Sequence, residues 1–134
     1  MNTTQNIGIT FYQNLGKLFY AIAASDKVVR PSEYESLRKI VKSEWMKLDD
    51  VEDDFGVDAA FQIEIVFDWL DHEELNAEES FSQFESYFKE NKFRFTDKLK
   101  QLVWSTCNAI AGAFSGKNKS ELMMLGRLKL IFEK

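Results

Sequence analysis

Apolar residues recur three and four positions apart along most of this chain, and the period-two alternation of a half-buried strand is absent. The spacing predicts an all-α fold, a compact bundle of about six or seven helices. Phe11, Leu15, Leu18 and Ile22 mark a stripe on a first helix from about Gln5 to Ala24. Tyr34, Leu37, Val41, Trp45 and Leu48 mark one on a second helix that opens at Pro31. Proline suits a first helical turn, where its missing N–H would have had no partner within the helix. A third helix, near Val57 to His72, is apolar nearly all round, with Phe61, Ile63, Ile65, Val66, Phe67, Trp69 and Leu70 leaving a narrow polar edge. That pattern predicts a central position for it.

Polar residues at the right spacing mark the remaining helix starts. Asn76 with Glu79 reads as a capping box for a fourth helix whose Phe81, Phe84 and Phe88 share a face. Thr96 caps a fifth, with Leu99, Val103, Ile110 and Ala113 inward. Asn118 with Glu121 repeats the capping box for a sixth, with Leu122, Leu125 and Phe132 toward the core.

One helical hairpin occurs twice. Ala21-Ile22-Ala23, Ser32-Glu33 and Leu37 recur, 88 positions on, as Ala109-Ile110-Ala111, Ser120-Glu121 and Leu125, which makes six identities over the twenty positions from Ala21 to Ile40. Two unrelated hairpins could also share alanine on a buried helix end and glutamate in a first turn, where the helix dipole favours a carboxylate. A common origin would place the two turns as neighbours around one centre.

The run Leu18 to Glu33 resembles the signature of the TerB-like tellurite-resistance family: Ala-x-Ala-Asp-Gly, a short hydrophobic link, a helix start and a glutamate. Ala23, Asp26 and Glu33 match; Ser25 stands for the second alanine and Lys27 for the glycine. In the second copy Phe114 stands for the aspartate while Glu121 is kept. The resemblance implies a compact helical module, acting in stress-response assemblies and gathering divalent cations at acidic residues, with Asp26 and Glu33 as the positions carried over. It implies no enzyme. From the residues alone, Asp26 could equally cap or close a turn.

Length and charge sharpen this picture. A chain of 134 residues fits one domain, 1–134, and 45% apolar residues supply ample core. A lone Cys107 permits no internal disulfide, and no stretch is long and apolar enough to span a membrane, so a cytoplasmic location is expected. Between Glu44 and Glu79 fourteen Asp and Glu face one lysine, Lys47, whereas the flanks are net basic. Such segregation either neutralises itself inside the monomer or makes a dipolar surface for a protein partner or a homo-oligomer.

Other candidate chemistry is thin. Asp49, Asp50, Glu52, Asp53 and Asp54 fail the calcium-loop spacing, which would need glycine and glutamate where Phe55 and Phe61 stand. Glu64, Asp68 and Asp71 lie three and four apart on the third helix with His72 nearby, a spacing that permits a cation site and is the sole basis for a hydrolase or transferase reading. A solvated edge also explains it. Asp71, Glu73 and Glu74 oppose the dipole at that helix's end, which suggests a compensating partner. Cys107 falls beside an inward stripe, and Ser115-Gly116-Lys117 lacks the rest of a phosphate loop. Lys89, Lys92, Arg94, Lys98 and Lys100 around Phe93 and Phe95 read as a link with hydrophobic anchors rather than a nucleic-acid surface, given an acidic whole.

Overall fold

The computed structural model describes residues 3–47, 59–113 and 118–133, and every regular element among them is helical. Six α-helices follow one another: α1 (Thr3–Ala23), α2 (Pro31–Ile40), α3 (Gln62–His72), α4 (Ala77–Glu90), α5 (Asp97–Ala111) and α6 (Lys119–Glu133). A π turn, Val41–Trp45, extends α2, and 3₁₀ turns, Ala59–Phe61 and Lys92–Arg94, precede α3 and α5. The acidic run at 49–54, Leu48, Phe114 and the 115–117 tripeptide lie outside the described residues.

The helix starts form where short polar side chains can take orphan amides. Asn76 Oδ1 accepts the Glu79 N–H at 3.0 Å and Thr96 Oγ1 accepts the Leu99 N–H at 3.2 Å, each satisfying a donor that the first turn leaves free. Pro31 occupies the first turn of α2. The end of α5 falls at Ala111, so Ala113 lies beyond the helix instead of on its inner face.

α1 is the central element, not α3. It packs against α3, α4, α5 and α6, and Leu15, Leu18, Phe19, Ala21, Ile22 and Ala23 are sealed from solvent. α3 sends only Ile63, Phe67 and Leu70 fully inward. Its opposite face leaves Ile65 52% and Trp69 55% exposed, so its all-round apolar character reflects an open apolar face rather than a central position. Gly16 sets the α1–α3 crossing: a Cβ there would stand 2.8 Å from the Ile63 carbonyl oxygen and 2.9 Å from Val66 Cβ, closer than packed atoms tolerate.

Two features lock the other layers. The π turn keeps Val41 and Trp45 inward, and the Trp45 indole N–H reaches Thr106 Oγ1 of α5 at 3.1 Å, in a buried bond. Phe95 is the hub of an aromatic cluster, 4.8 Å from Phe88, 5.3 Å from Phe11 and 5.9 Å from Phe84 between ring centroids. Such pairs add about 0.5–1.5 kcal/mol beyond area burial. α6 turns Met124, Leu125, Leu128 and Ile131 inward. Leu122 is 54% exposed, contrary to the sequence expectation, because buried Glu121 takes the inward position one residue earlier and the next side chain rotates out.

Candidate functional site

The first turn of the repeat meets the start of α6. Asn118, which opens α6, donates through Nδ2 to Asp26 Oδ2 at 2.7 Å across 92 residues of chain. Asp26 Oδ2 also accepts from Arg30 at 2.8 Å, and its Oδ1 accepts the Val28 N–H at 3.1 Å, closing the first turn on itself. Burial alone would raise the Asp26 carboxyl, but the Arg30 hydrogen bond, the Val28 amide and the Arg30 charge outweigh it and hold the group below its ordinary value. Lys27, where the family pattern has glycine, adopts φ 71°, the left-handed conformation that glycine takes most cheaply.

Behind Asp26 sits a pair of carboxyls at matched positions. Glu33 and Glu121 are each only 1% exposed. Glu33 Oε1 accepts the Arg30 N–H at 2.8 Å, and Glu121 Oε1 accepts the Asn118 N–H at 2.9 Å, so each closes the start of its own helix. Their Oε2 atoms are buried with no donor available, because two carboxylates offer each other only acceptors. A proton on Glu33 would supply the missing donor. Burial first, and the neighbouring Glu121 carboxyl after it, push Glu33 up to about 7, against the opposing pull of the Arg30 amide and charge.

The donor set does not fit a hard divalent cation. Asp26 spends both oxygens on Arg30, Asn118 and Val28; Glu33 and Glu121 each spend one on a helix start, leaving two oxygens where calcium takes six to eight. Among the described residues no group of three or more His, Cys, Asp and Glu is arranged to hold a metal ion.

Glu64, Asp68 and Asp71 share a helix but not a site. Glu64 lies 3.5 Å from Arg38 of α2, and its carboxyl is raised by burial against the opposing charges of Arg38 and Lys42. Asp68 approaches the Tyr34 hydroxyl. Asp71 lines a cleft of about 690 Å³ with Tyr20, Lys27 and Glu74, and burial, then the charges of Asp68 and Glu74, raises it. The three share a face of α3, and each also turns to a group of its own: Arg38, the Tyr34 hydroxyl or the cleft beside Tyr20. Cys107 is sealed, and burial pushes its thiol well above the ordinary range, away from the reactive thiolate.

Three features carried little signal in sequence. Glu121 read as a cap, and its burial opposite Glu33 needed both hairpins in place. Glu74, with φ 52°, closes the end of α3 in the left-handed conformation, and Leu75 N–H returns to Leu70 O at 3.1 Å. Trp69 and Phe93 had the composition of core residues and are 55% and 75% exposed. No family model, curated protein or solved structure matches this chain. No helix among the described residues is long and apolar enough to cross a membrane.

Proposed function

We propose that this chain is a non-enzymatic, TerB-like helical module of the cytoplasm that works in a stress-response assembly by holding another protein chain. The observation that carries the reading is the outer face of α3. Phe61, Ile65 and Trp69, spaced by four, are 37%, 52% and 55% exposed and make an apolar row bordered by the polar row Glu64, Asp68 and His72. A surface helix in a self-sufficient domain carries polar residues on such a face; a contiguous apolar strip rimmed by charge marks a contact surface. The resemblance at Ala23, Asp26 and Glu33 supports the kinship, and in this chain those residues serve the joint between the hairpins. The cation role implied by the family is left with too few oxygens, and no step here depends on it.

Site-specific photo-crosslinking in the native host tests the proposal. A photoreactive side chain replacing Trp69 should form protein adducts, and one replacing exposed Ser105 on α5 should form far fewer. Equal labelling at the two positions, or none at 69, would reject the α3 face as a contact surface.

A further inference from the structure

We infer that the partner of the α3 face is a second copy of this chain, which inserts Phe93 beside Trp69 in a head-to-tail contact. This rests on the contact-surface reading above and narrows it to one occupant. The two ends of α4 carry the complementary pieces. At its start, a cleft of about 400 Å³ has Val66, Trp69, Leu70 and Leu75 as its apolar lining, with Lys17 and Glu79 as its two charged residues. That volume lies within the range of small-ligand pockets, about 300–1,000 Å³, and has room for an aromatic side chain. At the other end, the Lys92–Arg94 turn throws Phe93 out to 75% exposure, while Phe95, two residues on, anchors the same link in the core at 4%. The Arg94 guanidinium lies 5.1 Å from the Phe93 ring centroid, so the exposed aromatic already carries a cation on its face.

Charge gives the occupant its identity. Among the described residues no basic side chain forms an ion pair with Asp71, Glu73, Glu74 or Glu79, and Glu78 alone in this cluster has one, with Arg127 at 2.6 Å. At the other end Lys89 pairs with Glu85 at 3.3 Å, but Lys92 and Lys98 have no such partner among the described residues. At the end of α3, Asp71, Glu73 and Glu74 oppose the dipole of their own helix. A basic aromatic end set against this apolar cleft and the acidic α3–α4 corner beside it brings unpaired charges of opposite sign together.

One molecule cannot satisfy itself. α4 has 14 residues, which at about 1.5 Å per residue holds the two ends roughly 20 Å apart. The contact therefore joins unlike ends of two copies: it closes a two-fold dimer where both pairs of ends meet at once, and propagates into a ring or an open chain where only one pair does.

Sedimentation velocity on the full chain tests this. At low salt the sedimentation coefficient should rise with protein concentration, and several hundred millimolar NaCl should weaken association about tenfold, because screening shortens the reach of surface charge. Two double variants isolate the faces: Trp69→Gln with Glu79→Lys blocks the cleft, and Phe93→Ser with Lys92→Glu blocks the insert. All four positions are exposed, so both variants should keep the helical circular dichroism of the parent, with a melting temperature lowered only slightly where Glu79→Lys puts a cation in the first turn of α4. Each alone should stay monomeric, and an equimolar mixture should give a dimer and nothing larger. A parent that is monomeric at every concentration, association that persists in either variant, or variants that stay apart when mixed overturns head-to-tail docking. Position-69 adducts made only with a foreign protein overturn this inference and leave the contact-surface reading standing.

Discussion

The starts of α2 and α6 carry the same glutamate three residues in, yet they close by different means. Asn118 is a complete cap: its Oδ1 accepts the Glu121 N–H at 2.9 Å, and its Nδ2 is left to reach Asp26. Arg30, at the matching position, has no side-chain acceptor, so the Glu33 amide turns to the Arg30 carbonyl at 2.9 Å and the guanidinium pairs with Asp26 instead. One start is held by a neutral amide, the other by an ion pair. What both keep is the buried carboxyl. The comparison teaches that the glutamates are the shared structural element of the two hairpins and that the capping residue is free to vary around them.

The largest test of that equivalence lies one turn further in. Leu37 and Leu125 occupy matching positions and are 0% and 3% exposed, so Leu37→Ala and Leu125→Ala should each cost about 2–5 kcal/mol in urea unfolding. A cost below about 1 kcal/mol at one site would show that the hairpins are not equivalent supports.

The carboxyl pair comes next. The unfolded Glu33 ionises near 4.5 and the folded one at about 7, so the fold loses stability as pH rises through that interval and gains none back above it. The loss is on the order of 3 kcal/mol. Glu33→Gln supplies a permanent donor toward Glu121, and should raise the melting temperature at pH 8 while leaving it nearly unchanged at pH 4. A variant destabilised equally at both pH values would dismiss proton sharing.

Asp26→Asn and Asn118→Ala sharpen the contrast between ion pair and amide. Each should cost roughly 1–2 kcal/mol near neutral pH, the first through a charge-assisted bond and the second through a helix cap. Because the Asp26 carboxyl is held below its ordinary value, its contribution is present above that value and fades as pH falls through the folded one. The penalty of Asp26→Asn should therefore shrink in acid, whereas that of Asn118→Ala should persist. The smallest effect is a gain: Lys27→Gly relieves a left-handed backbone and should stabilise by up to about 1 kcal/mol, readable as a small upward shift in melting temperature.

Much of the fold was legible because local chemistry decides it. Pro31, Asn76, Thr96 and Asn118 mark helix starts through amides that need a partner or, in proline, none. The place of α3 was not legible, since counting apolar residues around a helix does not tell a covered face from an open one; Ile65 and Trp69 needed the neighbours in place. Likewise the offset of 88 revealed that Glu33 and Glu121 correspond, but their burial opposite each other is a property of assembled hairpins. The spacing of Glu64, Asp68 and Asp71 puts them on one face of α3, but what each turns to there, Arg38, Tyr34 and the cleft beside Tyr20, lies more than twenty residues away in sequence.

The crossing at Gly16 has a mechanical consequence. With no material between α1 and the Ile63–Val66 stretch, the approach of these two rods is fixed by bare backbone. Even one methyl would act as a wedge near the fulcrum of α3, tipping the lever whose far arm bears Trp69 and the acidic tip. How this protein presents its outermost surface is thus tuned from deep inside, by a position that owns no side chain.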